Sequence, residues 1–245
     1  MNPPNTESLL RVWDESHNSH PINRALNLLD AAAPGIGRRA WFEAPVGRRD
    51  ECLLELYEML FGRQLQTVTR CPRCDETLES SFTTRDIGAH AVVPLGKTMQ
   101  KLRTHGCCIE YRLPNSDDLL QVSAMNDADA ARMELFRRCV IAANVAGEPH
   151  GAESLSPEIV EHLTDEMARQ DPAADVQIKL SCPACRHTWN ACFDIVSYFW
   201  SELDEWAQRI LADVNELARA YGWSEREILS LSPTRRHHYL ELVRA

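Results

Sequence analysis

The 245-residue sequence predicts an α+β fold that is mainly helical, with a small β module made from two distant Cys-Pro-x-Cys hairpins. Three observations lead there. Apolar residues recur at helical spacing towards both ends, whereas parts of the middle alternate with a period of two. The tetrad Cys71-Pro72-Arg73-Cys74 returns as Cys182-Pro183-Ala184-Cys185, with strand-like residues around both copies. These features divide the chain into a helical region over 1–63, a β module with inserted helices over 64–193, and a helical arm over 194–245.

In chain order, Asn5 or Thr6 caps a helix over 7–16 with Leu9, Leu10 and Trp13 on one side. Pro21 opens a second helix, whose inward face is Ile22, Ala25, Leu26 and Leu29, and Pro34-Gly35 ends it. A third, over 48–61, places Cys52, Leu53, Leu56, Met59 and Leu60 at helical spacing and stops at Gly62. Residues 64–70 and 77–83 read as strands on either side of the first tetrad. Residues 84–104 read as a loop with one short helix. Strict alternation then sets Cys107, Ile109, Tyr111 and Leu113 on one face of a strand, with Cys108, Glu110 and Arg112 on the other.

Helices return after Pro114, one of them over 127–143. The polar stretch 147–154 reads as a linker. Ser156-Pro157 starts a helix that runs to about Arg169, where Asp171-Pro172 stops it. Val176, Ile178 and Leu180 alternate as a strand leading into the second tetrad. Beyond it, Val196, Trp200, Leu203, Ala207, Ile210, Val214, Leu217 and Tyr221 form a heptad seam on a helix about 40 Å long. That seam suits either a core helix or a docking surface for a partner helix, anchored by the aromatic run Tyr198-Phe199-Trp200. Gly222 ends the helix, Ser224 and Glu227 make a capping box, and Trp223 and Ile228 occupy the staple positions. Ser232-Pro233 begins a last helix carrying Tyr239, Leu240 and Val243.

The chemistry lies in the repeat. At a constant offset of 111 residues, Cys71, Pro72, Cys74, Thr77 and Phe82 fall on Cys182, Pro183, Cys185, Thr188 and Phe193. Each copy is a strand, a tight turn and another strand, a zinc-knuckle unit that aims two thiolates at one point. Two such units together supply the four ligands of a closed tetrahedral site, Cys71, Cys74, Cys182 and Cys185. Closing the loop between them costs about 4 kcal/mol plus a constant, against roughly 10–16 kcal/mol of apparent zinc binding at structural sites. The β module is therefore zinc-ribbon-like, and the expected cofactor is a structural Zn²⁺. A full thiolate shell leaves no open position for substrate. His187 replacing one cysteine, a dithiol switch, and simply packed thiols are the rival readings.

Composition narrows the rest. Thirty-six acidic residues against 26 basic ones give a formal charge of −10, which argues against a general nucleic-acid binder. No apolar run approaches the ~20 residues of a membrane span, and the N-terminus lacks a signal-peptide layout. Nine cysteines without a signal suit a reducing cytosol. Cys52, Cys107, Cys139 and Cys192 read as small core residues, and Cys108 neighbours one of them. The doublets Arg38-Arg39, Arg48-Arg49, Arg137-Arg138 and Arg235-Arg236 read as solvated faces or ion-pair partners. Asp117-Asp118 and Asp204-Glu205 read as ordinary solvated acids. No phosphate loop, His-Glu-x-x-His or nucleophile elbow occurs, so no enzyme is expected.

Several stretches together resemble a known family. They are Phe193-Asp194-Ile195 after the second tetrad, Trp200-Ser201-Glu202-Leu203, and Leu217-Ala218-Arg219-Ala220-Tyr221-Gly222-Trp223-Ser224-Glu225. Arg235-Arg236 with Tyr239-Leu240 completes the C-terminal part. Nearer the start are His20-Pro21-Ile22-Asn23-Arg24-Ala25-Leu26, Pro45-Val46-Gly47-Arg48-Arg49-Asp50, and Arg112-Leu113-Pro114 with Asp118-Leu119. The chain thereby resembles the T-even-type phage baseplate hub assembly chaperones and related baseplate proteins, which also occur with contractile injection systems. The resemblance implies a non-enzymatic assembly or structural role in a baseplate, with other baseplate or hub proteins as partners and no nucleic acid or membrane. A cytoplasmic location, in or alongside a phage-tail-like particle, is the matching expectation. The alternative is a zinc-ribbon nucleic-acid-binding or regulatory protein, although only Arg70, Arg73 and Arg186 stand near the tetrads. A redox or hydrolytic enzyme is a further rival.

Overall fold

A computed structural model describes residues 1–87, 95–96, 99–145 and 147–244. Four helices open the chain: α1 (Thr6–Ser16), α2 (Pro21–Ala32), α3 (Arg38–Glu43) and α4 (Val46–Phe61). The hairpin β1 (Gln64–Arg70) and β2 (Thr77–Thr83) leads into the short α5 (Thr84–Ile87). Next come β3 (Gln100–Thr104), β4 (Cys107–Tyr111), α6 (Ser116–Val122), α7 (Ala128–Cys139), β5 (Val140–Val145), β6 (Glu148–His150) and α8 (Pro157–Gln170). A second hairpin, β7 (Val176–Ser181) and β8 (Thr188–Phe193), precedes α9 (Ile195–Tyr221), α10 (Glu225–Leu229) and α11 (Pro233–Arg244). The fold is thus mixed helix and sheet. Its two hairpins form separate two-stranded sheets, and β3-β4-β5-β6 make a third, all antiparallel.

The main core lies where α1, α2 and α4 pack on the first turns of α9. Leu26, Leu29, Leu53, Leu56, Phe199 and Leu203 are wholly buried there, with Leu65 of β1 beneath them. Tyr57 meets Phe61, Tyr198 and Phe199 at ring distances of 5.4, 5.5 and 5.6 Å. Local chemistry starts the first two helices. Asn5 accepts the Ser8 N–H at 2.8 Å, and Pro21 sits at the first position of α2, where a missing N–H costs nothing. The heptad seam of α9 is spent inside this chain, because Val196, Trp200, Leu203, Ala207, Ile210 and Leu217 are all buried. The α1, α2 and α4 helices cover its first half, and α10 and α11 cover its second, so the partner-helix reading of the seam is corrected to a core helix. Only Tyr221 at its end stands exposed.

The second hairpin packs Val176, Ile178 and Phe193 on the helical core, and a buried carboxylate beside it adds a polar tie. Pro45, which precedes α4, offers no side-chain cap. Asp171 supplies it from 124 residues away, accepting the Gly47 N–H at 2.9 Å. Burial pushes the Asp171 carboxyl up from its ordinary value, although this N–H and Arg49 oppose the shift. The approach is so close that a Cβ on Gly47 would lie 2.0 Å from Asp171 Oδ1. The turn after Asp171 leads directly into β7, so this contact sets where the second tetrad arrives.

Other expectations need correction. The helix expected over 127–143 ends at Cys139, because the Arg112 backbone N–H and side chain bond the Cys139 and Arg138 carbonyls. Residues 140–145 instead pair with β4 as β5. The expected linker 147–154 contains β6, which pairs with β5. Met59 is 43% exposed, and Tyr57 takes the inward place. Neither α3 nor β3 is foreseen by the spacing. β3 joins β4 through His105 and Gly106, both at positive φ (49° and 75°), as a tight two-residue hairpin requires. The loop expected over 84–104 lies partly outside the described residues.

Candidate metal centre

The two tetrads adopt the same turn. Cys71 N–H donates to Glu76 O at 2.9 Å, and Cys182 N–H to His187 O at 2.9 Å. Asp75 N–H donates to Cys71 O, and Arg186 N–H to Cys182 O, again at 2.9 Å each. Asp75 and Arg186 both take left-handed backbone, at φ 60° and 58°, which side chains other than glycine adopt at a cost. Every one of these features repeats at the sequence offset, so the repeat is structural as well as textual.

The hairpins meet face to face. Leu78 and Trp189 pack beside the cysteines at the tips, and Phe82 meets Phe193 edge-on at 5.5 Å towards the base. This brings Cys71, Cys74, Cys182 and Cys185 into one cluster, with all four sulfurs within 4.8 Å of one another. Cys71 Sγ lies 3.7 Å from Cys185 Sγ, and Cys74 Sγ lies 3.6 Å from Cys182 Sγ. A tetrahedron with metal–sulfur bonds near 2.3 Å has edges of about 3.8 Å, so the spacing fits one ion. It does not fit disulfides, whose sulfurs sit about 2.05 Å apart. His187 is not in the cluster; its ring stacks on Trp189 at 6.0 Å.

The electrostatics favour a cation. Burial raises the Cys71 thiol, yet the Arg73 and Cys74 N–H groups and the facing sulfurs outweigh it and bring the pKa down to about 7. At Cys74 a Glu76 N–H favours the thiolate, but neighbouring sulfurs and burial win and push it up to about 12. Four thiolates cannot share this space without a positive charge among them. A divalent ion would supply that charge and close the shell.

The remaining cysteines divide. Cys52, Cys107 and Cys139 are buried and Cys108 is half-buried, whereas Cys192 is exposed. The core reading of Cys192 is therefore corrected: it lies on the outer face of β8, against Asp175. Burial raises the Cys52 thiol to about 11 and the Cys139 thiol to about 12, which makes both poor nucleophiles.

A buried polar centre, missed in the sequence, supports the inserted segment. Asp118 is fully buried, not solvated. Arg112 grips both its oxygens, Arg138 Nε donates to it at 2.9 Å, and the Asn115 N–H donates at 3.0 Å. Arg49, 3% exposed, forks onto Asp50 and reaches Ser116 Oγ at 3.1 Å. Three of the four doublets thus supply a buried or part-buried ion-pairing arginine, Arg49, Arg138 and Arg236, the last buried against Asp213. Arg49, Asp50, Arg112, Asp118 and Arg236 fall in stretches carrying the family resemblance, whereas Arg138 carries no such signal.

The family model described as T4 bacteriophage base plate protein matches residues 7–200. The chain belongs to this family. The base plate match spans both tetrads, the Asp171 cap and the Asp118 centre, and it ends inside α9. No curated protein and no solved structure matches the chain. Among the described residues, no helix is long and apolar enough to cross a membrane.

Proposed function

We propose that the chain is a non-enzymatic assembly factor or structural component of the baseplate hub of a phage-tail-like contractile apparatus, held in shape by a structural zinc. The family match carries the baseplate role, and the four-sulfur cluster supports the metal. In this reading Cys71, Cys74, Cys182 and Cys185 hold the ion, which supplies charge neutralisation and a rigid joint. The region 1–63 is a helical base, 64–193 the clipped module and 194–245 an arm. Partners are other baseplate proteins, met in the cytoplasm or in the growing particle.

Two experiments test the two parts. Elemental analysis should return one zinc per chain, and Cys182→Ser should release it and lower the melting temperature; unchanged zinc content would overturn the ligand set. For the assembly role, cells lacking the chain should make particles with incomplete baseplates. Complete, contractile particles formed without it would overturn that role while leaving the metal result standing.

A further inference from the structure

The far helical end carries a surface that neither the core nor the metal centre uses. Tyr221, at the end of α9, stacks on Trp223 with ring centroids 4.6 Å apart. Tyr239 of α11 meets both rings edge-on, at 5.7 and 4.9 Å. The cluster is not closed over, since Tyr221 is 39% exposed, and Leu242 on the same helix as Tyr239 is 68% exposed. Arg235 precedes Tyr239 by four residues and Leu242 by seven, so the helical repeat lines all three along one side of α11.

The charges here are distinctive. Residues 213–244 hold five arginines against five carboxylates, an even balance in a chain whose formal charge is −10. Arg236 and Arg244 are matched by Asp213 and Glu216. Glu241 lies against His237 and His238, and Glu227 is engaged in the α10 cap. Exposed Arg219, Arg226 and Arg235 are left without a carboxylate partner among the described residues. Aromatic residues with free arginines are the composition that concentrates binding energy at protein interfaces. An acidic partner would be repelled by the rest of this protein and drawn to this end, which fixes its orientation.

We infer that the α9–α11 end is a docking surface for an acidic protein segment, which seats an apolar side chain against Tyr221 and Leu242 and sets carboxylates on Arg235. The inference rests on the assembly role above, because it names the surface that role would use. The family match ends at residue 200, so this surface lies beyond the part of the chain it covers.

The test uses the full chain and a short labelled peptide with glutamates flanking a central Phe-Leu pair, followed by fluorescence anisotropy. Its lysine-for-glutamate counterpart and a single-stranded oligothymidylate serve as competitors. The acidic peptide should bind, weaken with added salt, and resist both competitors. Arg235→Glu and Leu242→Ser, both at exposed positions, should each weaken it about tenfold or more with unchanged melting temperature. Binding of the lysine peptide as tightly, displacement by the oligothymidylate, or wild-type affinity in both variants would overturn the inference. So would self-association of the chain that Arg235→Glu abolishes, which would make a second copy the occupant. Failure of peptide binding with baseplates still dependent on the chain would sink the surface alone. Intact baseplates without the chain would sink the assembly role instead.

Discussion

Gly47→Ala asks whether the remote cap on α4 is as tight as the geometry says. The added Cβ would stand 2.0 Å from Asp171 Oδ1, 2.7 Å from its Cγ and 2.8 Å from the Ala174 backbone N. The carboxylate must withdraw, and the turn carrying Ala174 must shift with it. Losing a charge-assisted hydrogen bond to a 4% exposed carboxylate costs about 1.5–3 kcal/mol. Overpacking adds about 1–3 kcal/mol, partly relieved by the same withdrawal. The better helix propensity of alanine returns about 0.5–1 kcal/mol. A net loss of about 2–3 kcal/mol is expected, read as a lower midpoint in urea denaturation with an unchanged slope. In an Asp171→Ala background the same substitution should cost far less, because the two sites share one contact. A Gly47→Ala protein as stable as the parent would refute the reasoning, since helix propensity alone would then govern the position.

Two further outcomes follow from the centre and the tetrads. Burial raises the Asp118 carboxyl, but Arg112, the Asn115 N–H and Arg138 together hold it below its ordinary value of 3.8. Its stabilisation is therefore complete above that value and lost as pH falls through the lower folded one. Asp118→Asn should cost about 3 kcal/mol at neutral pH and converge with the parent in acid; a gap independent of pH in denaturation curves would contradict this. Arg186→Gly removes the strain of left-handed backbone at φ 58° and should raise the melting temperature of the metal-loaded protein, by a gain of up to about 1 kcal/mol. A lower melting temperature would show that the Arg186 side chain contributes more than its backbone costs.

Much of this arrangement is legible in the sequence because its causes are local. Asn5, Pro21, Gly222 and the Ser224–Glu227 box mark helix ends through bonds within a few residues, and the structure places the ends there. The repeat at offset 111 likewise predicts which sulfurs converge. What escapes notice is set by distant partners. Residues 140–145 carry a pattern that continues a helix, yet pairing with β4 wins. Asp118 looks like any acid at a helix start until Arg112, just past β4, and Arg138 of α7 reach it. Cys192 alternates like a core residue, but the hairpin turns that face outward.

The order of synthesis has a bearing on how such a molecule is made. Cys71 and Cys74 leave the ribosome 111 residues ahead of their counterparts, an interval of roughly 6–22 s at about 5–20 residues per second. The opening helices wait as well, because Phe199 and Leu203 are part of the core they close around. A nascent chain halted before Cys182 keeps two bare thiols, and one halted before Phe199 still has an uncovered apolar floor, so the last fifth of the polypeptide decides whether the first can settle.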